Sequence, residues 1–463
     1  MSIRVDNNLV KIFGIWAILL IGAWSFAAYF NVFDAPREKL ELLTALNWIV
    51  LSFILSVSLP KGIWSISFIF FTALCVFHTG LVLANSVGGI TDEDLHYVIR
   101  NWFYTRQTNN AIHLVNIALI GYALAVIAFS KPVSLRETEV GTEDFQKRLF
   151  HIGGALLTLF VFIFLAIIFS TGMYQSYFAY LTIMSELPLI SMLIFYTYLF
   201  IGISLVLVSV TYQSGYSIWY FLVFGIFAVI AFKTGLRGEV MFPTAVAGCM
   251  LGKKGVPIKT HTLLILLVVF LIATGIVKNA RVSGDYSGQG MSVNPLNAVA
   301  EMGGSLRPLQ EVILWRENGF ELLNGTSYWA PFERQLALFI PQLERVDALE
   351  DDRLLNVVVQ QRVGPIGFSP IAEAYINFGE AGVFFVFFAI GSLMAFLDSR
   401  KSTVKSDIIQ GVLLVPLFVM VRNAFTQVPV QIVIGWLVVA LLFYIAYRKK
   451  DSQNMFAENF ESR

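Results

Sequence analysis

The chain has little charge. Asp, Glu, Lys and Arg make up 14% of its 463 residues, against ~25% in ordinary soluble domains. That excludes a disordered chain and argues against a soluble enzyme. Cys75 and Cys249 are its only cysteines and both lie in apolar runs, so neither a disulfide framework nor a cysteine-based zinc site can be built. Its five histidines show no metal-ligand spacing such as His-x-x-x-His. A net charge of +1 gives no general attraction to nucleic acid. What the chain has instead is apolar residues, at 57%, with Phe alone contributing 41.

These gather in about twelve runs, near 10–30, 43–59, 63–84, 111–129, 149–169, 187–210, 215–232, 239–252, 262–277, 381–397, 408–421 and 428–447. A membrane-spanning helix needs ~20 mostly apolar residues. The expectation is an all-α polytopic membrane protein. About nine spans fall in 1–277, a large extracytoplasmic loop in 278–378, about three spans in 379–447 and a cytoplasmic tail in 448–463. The first run is long for a signal peptide and reads as a retained span. With the N-terminus inside, the cytoplasmic segments hold 17 Lys and Arg and the short outer loops hold 7. Positive charge favours the cytoplasmic side, which puts both termini inside and the long loop outside. No internal repeat of the secondary-transporter kind is visible.

A few charges sit where a membrane should not tolerate them. Residues 215–252 fit two passes and a turn into 38 positions, where two full spans alone need ~40. The turn with Lys233, Arg237 and Glu239 is therefore expected below the outer surface, where an ionisable group needs a protein-lined or watery cavity. It is either an anion site or a self-satisfied pair, Arg237–Glu239 or Lys233–Glu239. Arg422 follows a run of only 14 residues, so it either snorkels to the headgroups or is recessed beside Asn423 and Gln427. His78, deep in a span, reads as a satisfied core histidine. Asp92 and Asp94, near His96, read as a helix start capped by Thr91 rather than a cation site. Glu350-Asp351-Asp352 reads as a solvated turn.

The most informative stretch runs from Gly364 to Gly379. Ser369 is a good helix N-cap and Pro370 fits the first helical position. Ser369, Glu373 and Asn377 then recur every four residues, on one helix face. The helix leads straight into the apolar run at 381, so Glu373 is expected near the outer surface. There it either serves as general base for a sugar hydroxyl or only complements the helix dipole.

Gly367-Phe368-Ser369, Ile371-Ala372-Glu373-Ala374-Tyr375 and Asn377-Phe378-Gly379 resemble the signature of Wzy-type O-antigen (oligosaccharide repeat-unit) polymerases. Glu301-Met302-Gly303-Gly304-Ser305-Leu306-Arg307-Pro308 and Phe339-Ile340-Pro341 are similar to further stretches of that family. The pattern of many spans with one late outer loop matches along nearly the whole chain. The resemblance implies a glycosyltransferase C-like fold in the bacterial inner membrane. It implies polymerisation of undecaprenyl-pyrophosphate-linked oligosaccharide repeat units, the growing glycan passing from its lipid to the next lipid-linked unit. No metal or cofactor is expected, and a chain-length regulator of the polysaccharide co-polymerase type is an expected partner besides the bilayer. Glu373 is the expected base. Lys233, Arg237, Arg281, Arg307, Arg362, Tyr375, Asn377 and Arg422 are the expected substrate-binding residues, because Arg suits pyrophosphate oxygens by multidentate hydrogen bonding. Aromatic groups such as Tyr286, Tyr328 and Trp329 could stack on sugars. An O-antigen ligase or a lipid-linked oligosaccharide flippase is the alternative. A flippase should line a central cavity with charge across several spans, whereas here charge concentrates on the outer side.

Overall fold

The computed structural model describes residues 7–29, 36–88, 101–131, 143–213, 215–255, 295–340, 342–343 and 345–461. Among these residues every regular element is helical. The first part holds α1 (Asn7–Tyr29), α2 (Arg37–Ser58), α3 (Ile66–Ser86), α4 (Arg106–Phe129), α5 (Glu143–Thr171), α6 (Tyr177–Glu186), α7 (Pro188–Thr211), α8 (Trp219–Lys233) and α9 (Gly238–Lys253). Short helices α10 (Pro295–Met302), α11 (Leu306–Glu317), α12 (Thr326–Leu336) and α13 (Leu355–Arg362) follow, then α14 (Pro370–Ser399), α15 (Val404–Met420) and α16 (Val428–Glu461).

Among the described residues eight stretches are long and apolar enough to cross a membrane: Val10–Ala28, Arg37–Ser58, Ile66–Ser86, Arg106–Phe129, Glu143–Thr171, Pro188–Thr211, Pro370–Ser399 and Phe425–Ala446. The chain is a multi-pass membrane protein. The runs expected at 215–232, 239–252 and 408–421 form α8, α9 and α15, of 15, 16 and 17 residues. At 1.5 Å per residue they reach ~23–26 Å, short of the ~30 Å hydrocarbon core. Of the charged residues at their ends, Arg237 is buried whereas Lys233 and Arg422 are exposed. The run at 262–277 lies outside the described residues.

Helix α4 is the hub. Thr105 caps it, accepting the Thr108 N–H at 3.3 Å. It is apolar and buried almost all round, as a helix enclosed by other helices must be, and it packs against α14, α1, α2 and α11. Its Asn116 is satisfied by Asn47 at 2.9 Å and Thr44 at 2.8 Å, polar contacts that fasten helices inside a membrane. A second apolar core joins α5, α7 and α8 through Leu157, Phe164, Ile201 and Phe227.

The segment between α9 and α14 is not a separate polar body where it is described. Leu306, Leu309, Val312, Leu355 and Val358 belong to the same apolar core as the spans, and α10 and α11 lie on α3 and α4. Helix α14 breaks at Gly379 (φ 68°, ψ −160°), a backbone region open in practice only to glycine. The break frees the last carbonyls of 370–378, and they accept from the chain ahead of α12: Leu323 N–H to Ile376 O at 3.0 Å and Asn324 N–H to Asn377 O at 3.1 Å.

At the far end of the bundle, Asp398 accepts the Ile66 and Ser67 N–H groups, each at 2.8 Å. A carboxylate from α14 thus caps α3. Lys253, at the end of α9, pairs there with Asp407 at 3.3 Å.

Candidate active site

The site forms where the short helices α8, α9 and α15 end. Helix α8 stops in a paired turn in which Leu236 N–H reaches Ala231 O at 2.8 Å and Gly235 N–H reaches Phe232 O at 2.9 Å. Gly235 takes the left-handed conformation (φ 84°) that this ending requires. Arg237 follows at once, and its carbonyl accepts the first N–H groups of α9. The turn cannot rise out of the bundle, so the guanidinium is held inside, with only 6% of the residue exposed.

Arg237 and Arg422 line one cavity of about 350 Å³, together with Glu239, Glu301, Asn423 and Gln427. That volume lies within the ~300–1,000 Å³ of small-molecule sites. Tyr180, Tyr198, Phe77 and Phe242 form its aromatic wall. Arg237 Nη1 pairs with Glu301 Oε2 at 2.7 Å. Its Nε and Nη2 are buried with no hydrogen-bond partner among the described residues. Leaving a buried donor unmade costs ~1–3 kcal/mol, so a guanidinium held this way fits a site for an anion that supplies the missing acceptors.

Arg422 sits on the loop after α15, which other elements fasten. Phe368 N–H donates to Arg422 O at 3.0 Å. Asn356 Oδ1 accepts the Ala424 N–H at 3.1 Å. Glu373 Oε2 accepts the Phe425 N–H at 2.7 Å.

Glu373 thus has protein partners on both carboxylate oxygens. It is buried at 1% exposure, it is not among the cavity-lining residues, and its other oxygen accepts from Ser327 Oγ at 2.8 Å. Asn377 lies on the same helix face as the spacing requires, donating to Ser327 Oγ at 2.8 Å and accepting the Gly325 N–H at 2.9 Å. Ser369 is the N-cap of α14, accepting from Ile371 and Ala372 N–H at 3.2 and 3.4 Å. His78 is a satisfied core histidine. Its Nδ1 lies 3.0 Å from Leu74 O, and its Nε2 lies 2.9 Å from Ser369 Oγ. A carbonyl only accepts, so the hydrogen-bond network puts the Nδ1 proton toward Leu74 and lets Ser369 donate to Nε2.

The other expected residues scatter. Lys233 is exposed and outside the cavity lining. Arg307 faces Glu311 on its own helix at 3.7 Å. Arg362 lies over the rings of Trp315 and Phe320 at 5.1 and 5.2 Å. Tyr375 packs against the core. Arg281 and Tyr286, like Asp92, Asp94 and His96, lie outside the described residues. The acidic turn is not solvated at its centre. Asp351 is buried at 5% exposure and holds Arg353 at 2.8 Å and Arg334 at 3.2 Å, because two guanidinium groups converge on it. Arg237 pairs with an acid other than Glu239. Its partner is Glu301, which the sequence offered only as the first residue of a family-like stretch.

The fold and this cavity define a polytopic membrane protein in which a buried arginine, Arg237, and an exposed one, Arg422, line the same cavity. The family description O-antigen polysaccharide polymerase Wzy matches residues 12–451, and the chain belongs to that family of polysaccharide polymerases. It is also similar to Protein CapE of Staphylococcus aureus, 26% identical over 394 residues, covering 83% of this chain and 85% of that protein. No solved structure matches it.

Proposed function

We propose that the chain is a glycosyltransferase of the bacterial inner membrane that polymerises undecaprenyl-pyrophosphate-linked oligosaccharide repeat units. The carrying observation is the arginine geometry: Arg237 holds two buried, unpartnered N–H donors in a cavity shared with Arg422. A lipid pyrophosphate is the leaving group such a site fits, since its oxygens accept from both guanidinium groups and its developing charge is stabilised there without a metal. In the reaction, the sugar carbon–oxygen bond to the donor pyrophosphate breaks as a bond to the acceptor hydroxyl forms. The pyrophosphate leaves with the bonding pair, and the hydroxyl proton goes to a carboxylate. We assign that proton to Glu301, which lines the cavity with 26% of its side chain open. Glu373 becomes a positioning residue that holds the Arg422 loop.

The cavity end of the bundle faces outward in this reading, with both termini in the cytoplasm, in accord with the Lys and Arg distribution. Segment 278–378 then supplies the extracytoplasmic part, and a chain-length regulator would act from that side. Purified protein given only lipid-linked repeat units tests the proposal. A ladder of lengthening products is expected. Transfer only to a different lipid acceptor would mean a ligase, and translocation without bond formation would mean a flippase.

A further inference from the structure

Helix α12 presents a face that the other described residues leave bare. Its buried residues are Ser327, Ala330 and Pro331. Trp329, Phe332 and Leu336 are 59%, 42% and 45% exposed, and just beyond the helix Phe339 reaches 81%. The spacing of 329, 332 and 336 places them on one side of the helix. The charges of the helix are drawn elsewhere: Glu333 pairs with Arg353 at 2.9 Å and Arg334 with Asp351 at 3.2 Å. Glu333 follows Trp329 by four residues and so shares its side, where the bond to Arg353 holds its charge; a side of large apolar residues whose one charge is paired suits a helix lying at an interface.

Its place in the bundle says what covers it. Tyr328 and Phe332 lie against Phe425, at ring-centroid distances of 5.5 and 6.4 Å, and Phe425 is the first residue of the span Phe425–Ala446. Tyr328 also stacks on Phe378 at 6.1 Å, at the break that leads into the apolar half of α14. The bare face thus continues the exposed apolar surfaces of two spans, where Phe385, Phe396, Val433 and Leu437 stand open at 54–67%. Those surfaces belong to lipid.

We propose that residues 326–340 lie in the headgroup layer of the bilayer, with Trp329, Leu336 and Phe339 directed into the acyl region, beside the loop that carries Arg422. The segment that composition marks as the protein's large polar loop then includes a membrane-seated element. Its hydrogen bonds from Ser327 to Glu373 and from Gly325 to Asn377 tie that element to the site.

The test needs no substrate, so its outcome is separate from that of the proposed chemistry. Cys75 and Cys249 are buried and can be replaced by Ala. Single cysteines Trp329→Cys, Leu336→Cys and Phe339→Cys, with Asp352→Cys as a polar control, are labelled with an environment-sensitive fluorophore. The full chain is placed singly in nanodiscs of phosphatidylethanolamine and phosphatidylglycerol. Leu338→Cys reads the same segment if a first variant fails to fold. Quenching by doxyl-labelled lipid at 329, 336 and 339, and by aqueous iodide at 352, is the expected result. Iodide quenching at all four positions would overturn the proposal. So would shielding from both quenchers that appears only when a second copy or another protein is present, since that would make the face a protein-docking surface.

Discussion

Glu373 and the Phe425 backbone N–H are joined at 2.7 Å across 52 residues of sequence. The bond ties helix α14 to the loop that carries Arg422. The second oxygen of the same carboxylate reaches Ser327 on α12. One buried acid thus gathers three segments around the wall of the cavity without lining it.

A positioning role and a base role separate in two substitutions. Gln at 373 can still accept from Phe425 with its oxygen and donate to Ser327 with its amide, so Glu373→Gln should slow chain extension by less than ~10-fold, the effect of about 1.4 kcal/mol. Glu373→Ala leaves a buried N–H unmade and should slow it far more. A general base would lose ~10²–10⁴ in both variants. Initial rates of chain extension on purified protein decide, and a Gln variant as slow as the Ala variant would return Glu373 to chemistry.

Arg237 should behave as a residue kept for function at the expense of stability. Two of its buried donors have no partner among the described residues, so removing them relieves a penalty of ~1–3 kcal/mol each in the ligand-free protein. The double variant Arg237→Met/Glu301→Gln, which also removes the charge left behind, should melt at or above the wild-type temperature and make no polymer. Arg237→Lys should also fail, since it keeps charge and loses the fork. A large drop in melting temperature for the double variant would make the pair a structural fastener.

The α12–α13 region should loosen in acid. Burial alone would raise the Asp351 carboxyl, but hydrogen bonds from Arg353 and Arg334 and the charge of Arg353 outweigh it and hold the carboxyl below the usual range. A depressed folded pKa means stability that is present above the unfolded value, ~3.9, and is lost as pH falls through the folded value. Hydrogen exchange over 326–362 should show wild type better protected than Asp351→Asn at pH 6. The gap should narrow progressively as the pH is taken below ~3.9. A gap that stays constant down through the acid range would show that the charge is not what holds the region.

The sequence carried those features that depend on local spacing. Ser369 as cap, Pro370 at the first helical position, the shared face of Ser369, Glu373 and Asn377, and the recessed turn at Arg237 all follow from neighbours within a few residues. It did not reveal what a face meets. The face of Glu373 points to Ser327 and Phe425 rather than to an aqueous acceptor, and periodicity is blind to that choice. The Arg237–Glu301 pair spans 64 positions, a relation that only tertiary packing creates. The surroundings of Arg307 and Arg362 were equally illegible: Arg307 lies 3.7 Å from Glu311 one turn away, and Arg362 lies over the rings of Trp315 and Phe320.

The placement of Glu301 rests on a contact with no room for a side chain. A Cβ on Gly303 would lie 2.0 Å from Leu81 N, and one on Gly80 would lie 2.4 Å from Val299 O. Helix α10 and the turn after it therefore touch α3 backbone to backbone, and this contact sets Glu301 opposite Arg237. Gly303→Ala must push the two apart. Overpacking of this kind costs ~1–3 kcal/mol, and a shift of about 1 Å in a reacting group can cost ~10²-fold in rate. The neighbouring Gly304 has nothing within 4 Å of its Cβ position and no positive φ, so Gly304→Ala adds the same methyl without the clash. Chain-extension rate and melting temperature should fall together in Gly303→Ala and stay near wild type in Gly304→Ala. If Gly303→Ala melts lower yet extends chains at the wild-type rate, the contact stabilises the bundle but does not position Glu301, and the acceptor proton must be assigned to Glu239, the other acid lining the cavity.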